Sequence, residues 1–434
     1  MAKSGQRAPG PRGLPITGTL WWVRKDVLSF LRQSQQRYGD VVRFRMAHII
    51  IYLVNSPEGI KHVLKTNHQN YLRTTATNGR LKDVIGDNVL TTDGNEWATR
   101  RKAIAPLFSP QRSAAFVPMI AKITMDMVQR WQTQKTPVTI NTALMETTLA
   151  IITEVLFGLS IGADAAPMEK ALSGILAHHW RRVQSPMDLP HRLPTESRRT
   201  FTAGNKVLRE ILARLRKNAD ADRAAGILAR FEGLSVDDEL LTLLLAGHET
   251  TANALSWAFW LLTTHPNEQD RLHDEARQVY GDRMPSTDEV SRLPYATRVF
   301  EEAMRLYPPI WLLDRLTVAD DDIQGFQIPA KSTVVIAPWL VHRHPDYWPH
   351  PEAFHPDRFM KKPTPFSYLP FGAGPHGCVG GNLAMVEGPL IISLVARYLR
   401  LKPATRASAK STPTPMPGLT LRMMEPYRVR VESR

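Results

Sequence analysis

The chain has 434 residues and a formal net charge of +14, with 55 Lys and Arg against 41 Asp and Glu. An excess of this size points to an acidic protein partner, an anionic membrane surface or nucleic acid. The cations are scattered and no RNA-recognition or zinc-finger signature is present, so we expect no nucleic-acid partner. The only cysteine, Cys378, excludes an internal disulfide and multi-cysteine metal sites, which is typical of a reducing, cytoplasmic setting.

The first part of the chain predicts an extended arm followed by a hairpin and a long helical region. Residues 1–20 are rich in proline and glycine and lack the apolar core of a signal peptide or anchor. Short β-rich runs predict a hairpin over residues 41–54, and apolar residues three and four apart predict helices from about residue 96 to residue 306. No linker or repeat divides the chain, so we expect a single domain over residues 1–434, mainly α with a smaller β-rich lobe.

A long helix is predicted from Ser235, the expected N-cap, to just before Pro266. Two carboxylates follow Ser235 in the positively charged first turn, and apolar residues on most faces place the helix in the core. Its apolar run is interrupted at residues 246–251, Ala-Gly-His-Glu-Thr-Thr, which a membrane-spanning helix holds only at high cost. We therefore expect no transmembrane anchor here. Taken alone, these polar side chains could simply bond within the helix or form a paired core charge.

The last third predicts strands and coil. Residues 323–328 around Gly325 indicate a hairpin, residues 333–336 a strand, and residues 382–399 a final helix before closing strands. Residues 341–371 have no period and are predicted to form an ordered loop packed on the core. Four histidines lie in it without a familiar metal-ligand spacing, so we predict structural roles for them: His342, His344, His350 and His355.

Residues 371–380, Phe-Gly-Ala-Gly-Pro-His-Gly-Cys-Val-Gly, form a glycine-rich loop that carries the only cysteine and leads into a helix. Amides at Gly374, Gly377 and Gly380 are expected to donate hydrogen bonds to the sulfur, and the helix N-terminus adds partial positive charge. Both effects lower the pKa of a thiol and favour a metal-bound thiolate. A cysteine taken alone is more often a small buried apolar residue.

The loop resembles the haem-binding loop of the cytochrome P450 family, as does its spacing to the following helix. The resemblance implies the P450 fold, with Cys378 as the proximal ligand of the haem iron and His376 against a propionate. It places a set of loop residues at the cofactor: Phe371, Gly372, His376, Cys378, Gly380 and Ala384. A thiolate ligand pushes electron density through the iron and favours cleavage of a bound O–O bond.

The polar interruption of the long helix resembles the oxygen-activating signature of the same family. The resemblance implies that Glu249 and Thr250 relay protons, and that Ala246 and Gly247 border the haem, with Gly247 letting the helix bulge. By family position, Trp97, Arg101 and Arg315 are also expected at the cofactor. The planar guanidinium of an arginine can donate two hydrogen bonds to one propionate carboxylate.

Glu302 and Arg305 would form a weak surface pair if they stood alone. With Arg358 they resemble the Glu-Arg-Arg network of the P450 family. The resemblance implies that this network serves fold assembly and not catalysis.

The resemblance implies a haem-thiolate monooxygenase that inserts one oxygen atom from O2 into a hydrophobic substrate, such as a terpenoid, fatty acid or steroid-like molecule. The cofactor is expected to be haem b. We expect no fused reductase after Cys378, so electrons from NAD(P)H are expected through ferredoxin or flavodoxin with its reductase, docking near Arg100, Lys102 and the Cys378 loop. By family position, the substrate is expected against residues 75–88, 178–194, 246 and 311–313.

Two other functions remain open from the sequence. A haem-thiolate isomerase, dehydratase or peroxygenase would share Cys378 but tends to lose the acid-alcohol pair, which Glu249 and Thr250 retain. A non-enzymatic haem sensor would need no proton relay.

Overall fold

The structure, a computed structural model, describes residues 5–184, 195–219 and 234–434. Helices make up most of these ranges. The α-helices are α1 (Leu20–Lys25), α2 (Val27–Tyr38), α3 (Pro57–Lys61), α4 (Ala76–Ile85), α5 (Gly94–Ile104), α6 (Pro110–Ala115), α7 (Val117–Thr133), α8 (Ile140–Phe157), α9 (Ala165–Gln184), α10 (Glu196–Asn218), α11 (Val236–Thr264), α12 (Pro266–Val279), α13 (Pro294–Leu306), α14 (Pro338–Val341), α15 (Gly381–Tyr398) and α16 (Arg406–Lys410). The predicted mainly α architecture is confirmed.

The strands are β1 (Val41–Met46), β2 (Ile49–Val54), β3 (Tyr71–Leu72), β4 (Val138–Thr139), β5 (Leu313–Thr317), β6 (Asp321–Ile323), β7 (Phe326–Ile328), β8 (Thr333–Ile336), β9 (Leu399–Pro403), β10 (Pro415–Pro417), β11 (Leu421–Met423) and β12 (Arg428–Ser433). They form a five-stranded sheet in the order β1-β2-β8-β5-β3, a three-stranded sheet β4-β12-β9 and the hairpins β6-β7 and β10-β11. The pairing of β2 with β8 is parallel, and the other pairings are antiparallel. The hairpins predicted over residues 41–54 and 323–328 are present as β1-β2 and β6-β7. The strand predicted over residues 333–336 is present as β8.

Helix α11 is the predicted long helix, and it runs through the core with most of its side chains buried. It packs against α8, α13 and α15. The acidic residues of its first turn face the positive end of the helix dipole. Ser235 precedes the first turn as predicted, but its side chain does not cap the backbone. Its hydroxyl instead donates to Asp238 Oδ2 at 2.8 Å.

Within the described ranges, α8 is the helix whose length and composition would allow it to cross a membrane. Buried residues make up 61% of the segment, and it packs along α11. These are the surroundings of a core helix, so the composition of α8 is weak support for a membrane span.

Glu387 on α15 is a buried acid in this core. Its side chain is 3% exposed, and Oε1 has no hydrogen-bond partner among the described residues. Burial raises the pKa of the carboxyl to about 8. The folded protein therefore holds a proton that the unfolded chain releases near the ordinary pKa of 4.5. The stability from the neutral acid is fully present below pH 4.5 and is lost as the pH rises through about 8.

We expect the free energy of unfolding of Glu387→Gln to exceed that of the parent protein by a growing amount as the pH rises from 4.5 to about 8. Glutamine stays neutral, so the difference should grow to the order of 4 kcal/mol at the alkaline end. Denaturant titrations below, within and above the window measure it. The exposed Glu425 provides a control, because Glu425→Gln should show no such growth. A constant difference between Glu387→Gln and the parent would contradict the prediction.

Candidate active site

The loop before α15 is held in a tight conformation around Cys378. The Cys378 amide donates to Phe371 O at 2.8 Å, and the Gly377 amide donates to Gly374 O at 3.1 Å. Gly374 has a φ of +71°, and a Cβ at this position would lie 1.8 Å from Leu64 O. A side chain there would collide with the backbone of the short π-helix His62–Thr66, so glycine is required for close approach.

The sulfur of Cys378 receives hydrogen bonds from the amides of Gly380 and Gly381 at the start of α15. Gly380 was predicted in this role, whereas Gly374 and Gly377 shape the loop instead. The Cys378 side chain is accessible, yet protein surrounds it densely enough that burial raises the pKa of its thiol. The two amides and the charge of Arg101 act in the opposite direction. The predicted lowering of the thiol pKa is therefore wrong for the protein alone, and a bound cation would have to stabilise the thiolate.

Phe371 and Ala384 lie beside this sulfur-bearing turn. The Phe371 ring packs against α15, with Cγ 3.6 Å from the position of a Cβ on Gly381. The Ala384 amide donates to Gly380 O at 3.0 Å within the first turn. Gly372, with a φ of +67°, has open space around it and is needed for its backbone conformation.

A cluster of cations adjoins the cysteine loop. Arg101 Nη1 donates to Gly377 O at 2.7 Å, and the Trp97 ring lies 4.0 Å from the His376 ring. Burial lowers the pKa of Arg101 and of Arg315. The structure thus brings four of the predicted cofactor residues to one place.

Arg73 belongs to the same cluster and was missed by the sequence reasoning. Burial, assisted by the charges of Arg315 and Arg101 and opposed by Asp93, lowers the pKa of Arg73 to about 10. Burial also lowers the pKa of His376 to about 3, assisted by the charges of Arg73, Arg315, His68 and Arg101. No local sequence pattern marks Arg73, which follows the two-residue strand β3.

Asp93 is an acid that lies beside two members of this cluster. Its carboxylate lies 3.5 Å from both Arg73 Nε and His376 Nε2. Arg73 Nε and His376 Nδ1 nevertheless have no hydrogen-bond partner among the described residues. The three arginines therefore outnumber the nearby carboxylates of Asp93 and Asp314, and polar nitrogen atoms without hydrogen-bond partners remain. This arrangement fits a ligand with two carboxylates, as the haem expected from the sequence would present.

Arg100 does not belong to the basic docking face predicted for a redox partner. It is 5% exposed and donates to Glu239 Oε1 at 2.6 Å and to Glu96 Oε1 at 2.7 Å. Glu239 on α11 is fully buried, so this pair fastens α5 to the start of α11. The prediction failed because the partner of Arg100 lies 139 residues away in sequence. Lys102, the other predicted cation, is exposed.

Ala246 and Thr250 form an accessible strip on the otherwise buried helix α11. The Thr250 hydroxyl donates to Ala246 O at 2.6 Å, one turn earlier. Gly247 does not produce a bulge, because α11 continues as an α-helix through it. A Cβ on Gly247 would lie 2.8 Å from Ile152 Cγ1, so this glycine allows close packing of α8.

Glu249 points away from this strip into a polar network. Its Oε1 accepts hydrogen bonds from Arg422 Nε at 2.6 Å and from the Thr420 hydroxyl. Asn253 Nδ2 in turn donates to Thr420 Oγ1 at 3.0 Å. Glu249 is 2% exposed and the Arg422 side chain 27%, so the pair connects the interior of α11 with the protein surface. Sequence reasoning missed Arg422 and Thr420, which lie on and beside the distant β10-β11 hairpin.

The predicted Glu302, Arg305 and Arg358 network is present as a set of contacts. Arg305 donates to the Glu302 carboxylate at 2.7 and 2.9 Å, and Arg358 Nε donates to it at 3.0 Å. Arg305 also donates to carbonyl oxygens of Pro351 and Ala353. The network therefore fixes the irregular segment before the cysteine loop.

The predicted substrate segments are partly in contact. Arg80 on α4 donates to Arg182 O at 2.9 Å at the end of α9. Trp311 is buried, and its indole nitrogen donates to Gly418 O at 2.8 Å. Residues 185–194 of the predicted lid lie outside the described residues.

Comparison with known proteins places these features in one family. The family model described as Cytochrome P450 matches residues 8–431. Cyclooctatin synthase of Streptomyces melanosporofaciens is 31% identical over 430 residues, covering 94% of this chain and 93% of that protein. Cyclooctat-9-en-7-ol 5-monooxygenase of the same organism is 29% identical, covering 91% of this chain and 89% of that protein. Pentalenene oxygenase of Streptomyces avermitilis is 26% identical, covering 90% of each chain.

Proposed function

Because the chain belongs to the cytochrome P450 family, we propose that it is a haem-thiolate monooxygenase acting on a terpenoid. The observation that carries the proposal is the accessible Cys378 sulfur, which meets two backbone amides at the start of α15. It lies beside an arginine cluster in which Arg73 Nε has no hydrogen-bond partner among the described residues. The names of two relatives describe oxygenation of pentalenene and of cyclooctat-9-en-7-ol. A substrate of this unsaturated, mostly hydrocarbon kind is supported by their similarity to this chain.

Haem b, when bound, supplies the chemistry of dioxygen activation and oxygen transfer. The balanced reaction consumes substrate, O2, two electrons and two protons, and it yields the hydroxylated product and water. Cys378 would hold the iron through its thiolate, with the amides of Gly380 and Gly381 sharing the negative charge. Arg73, Arg101, Arg315 and His376 would hold the propionates.

Thr250 and Glu249 would transfer the two protons that this reaction consumes. The Thr250 hydroxyl lies on the accessible strip and can reorient from Ala246 O toward a bound ligand. Glu249 lies one residue away and reaches Arg422, which is partly exposed. We propose that the Arg422 end admits protons and that Thr250 delivers them.

Replacement of Thr250 tests this function. Thr250→Val keeps the shape and removes the hydroxyl, so we expect product formed per electron consumed to fall about a hundredfold. The assay combines the haem-loaded protein, a ferredoxin and its reductase, a terpene substrate and isotopically labelled O2, with label counted in the product. Thr251→Val is the matched control, because Thr251 is buried and lies outside the accessible strip. Labelled product that is unaffected by Thr250→Val, or product without label, would contradict the proposal.

Electrons from NAD(P)H would arrive through an acidic ferredoxin or flavodoxin in the cytoplasm. Exposed Lys65 and Lys102 offer it a basic surface near the cysteine loop, since the Lys65 Cα lies 3.5 Å from the position of a Cβ on Gly374. We expect the rate constant of reduction to fall as ionic strength rises, because screening weakens attraction between exposed charges. Stopped-flow reduction at several salt concentrations measures it. If Lys102→Glu and the control Lys331→Glu changed the rate constant of reduction equally, this docking surface would be wrong.

A further inference from the structure

A group of large apolar side chains is exposed near the start of the chain. Leu14 is 47% exposed, Ile16 84%, Trp21 60% and Trp22 45%. We call residues 14–22 the N-terminal tip. Exposed apolar residues normally occur singly on a protein surface, whereas these four lie within nine residues. Their clustering indicates an interaction surface.

The N-terminal tip is a built structure and not a loose end. Leu14 and Gly18 exchange backbone hydrogen bonds of 2.9 and 3.0 Å, which close a tight turn with Ile16 at its apex. Arg45 on β1 donates to the carbonyl oxygens of Leu14, Pro15 and Ile16. The Thr19 amide donates to Arg45 O at 2.7 Å. The turn is therefore fastened to the β-rich lobe, and the Ile16 side chain projects from it.

Positive charge surrounds these apolar side chains. Arg7, Arg12, Arg24 and Lys25 are exposed and form no ion pair with a described residue. The sequence contains no Asp or Glu before Asp26. Arg7 and Arg12 also line a surface depression of about 430 Å³ together with Arg43 and Arg45. Nearby acids therefore do not neutralise this charge, which is available to an anionic partner.

The shape of the tip selects among anionic partners. A stable protein interface buries about 800 Å² on each side over a broad, complementary area. A projecting turn with a highly exposed isoleucine offers little such area, but it can enter a soft layer of acyl chains. Tryptophan side chains are enriched at the boundary between headgroups and acyl chains, and adjacent cations attract anionic headgroups.

We propose that the N-terminal tip docks this protein on the surface of a membrane rich in anionic phospholipid. Ile16, Trp21 and Trp22 enter the boundary region, and Arg7, Arg12, Arg24 and Lys25 contact the headgroup phosphates. The docking is peripheral and reversible, because few apolar side chains take part. It does not depend on the oxygenation reaction, although it would bring the protein to the phase in which an apolar substrate dissolves.

Sedimentation with vesicles tests the docking on the full-length, haem-loaded protein. We expect binding to vesicles of phosphatidylcholine with phosphatidylglycerol, weaker binding to phosphatidylcholine alone, and release by salt. The triple variant Ile16→Ser, Trp21→Ser, Trp22→Ser should bind at least about tenfold more weakly. The double variant Arg7→Gln, Arg12→Gln should bind the anionic vesicles about fivefold more weakly for each cation removed.

A matched control uses the same chemistry elsewhere on the surface. Met360 is 72% exposed and precedes the exposed Lys361 and Lys362. Met360→Ser with Lys361→Gln and Lys362→Gln should bind vesicles like the parent. Circular dichroism and the thermal midpoint should be unchanged in all variants, because the altered side chains are exposed. Failure of the parent to bind anionic vesicles, or equal binding by the tip and control variants, would overturn the proposal. A self-association that only the tip variant loses, without vesicle binding, would assign the surface to a second copy and also overturn it.

Discussion

Cys378→Ser is expected to abolish the thiolate-type spectrum of the reduced, carbon monoxide-treated protein. Oxygen insertion should fall by at least about a hundredfold, because even groups that merely support a metal ligand contribute 10- to 100-fold. Serine keeps the size of the side chain and the amides of Gly380 and Gly381. It removes the sulfur that donates electron density and favours cleavage of the O–O bond. Absorption spectra and labelled-oxygen assays measure the two effects separately.

Gly380→Ala is the control for disturbance of the loop. Gly380 has a φ of −85°, and a Cβ there would lie 4.0 Å from the Cys378 sulfur, which is an ordinary contact. This variant should therefore keep the thiolate-type spectrum. If the spectrum or the full oxygenase activity survived Cys378→Ser, the assignment of the iron ligand would be wrong.

Glu302→Ala is expected to cause a large loss of stability, because Glu302 on α13 holds the irregular segment before the cysteine loop. Glu302 and Arg305 have fully buried side chains, and Glu302 also accepts from Arg358 and from the His355 amide. Removal of the carboxylate leaves the Arg305 charge buried without its partner. Breaking a buried ion pair in this way costs about 3–5 kcal/mol. Denaturant unfolding of the haem-loaded protein measures the loss.

A surface ion pair provides the comparison. Arg32 and Glu352 lie 2.7 Å apart, with side chains 38% and 57% exposed. Arg32→Gln should cost less than about 1 kcal/mol, because water screens this pair. If Glu302→Ala does not fold, Glu302→Gln gives a milder test, since its amide oxygen still accepts a hydrogen bond. A cost for either Glu302 variant no greater than that of Arg32→Gln would contradict the role of the network.

The parts of the fold that depend on neighbours in sequence were predictable. The hairpin β1-β2, helix α11 and the cysteine loop each follow from residues within one short segment. The family resemblance added Arg101, Arg315 and Arg358, which no local pattern identifies. It also led to the Glu302 network, whose members the structure does bring into contact.

The parts that depend on distant partners were not predictable. Arg422 pairs with Glu249 across 173 residues, and the burial of Arg100 requires Glu239. The pKa of the Cys378 thiol depends on a balance between burial and hydrogen bonding, and only the packed structure reveals which effect is larger. The role of Gly247 also depends on a distant residue, because Ile152 on α8 leaves no space for a side chain at this position.

The parallel pairing of β2 with β8 has a consequence for synthesis of the chain on the ribosome. Residues 51–53 hydrogen-bond to residues 333–335, so β2 must wait for a strand translated about 280 residues later. At about 5–20 residues per second, this delay lasts tens of seconds. During that time the β1-β2 hairpin presents an open apolar edge, which is the kind of surface that nascent chains can misassociate through. The order of strands in the sheet therefore leaves this edge of β2 unpaired until most of the chain has been synthesised.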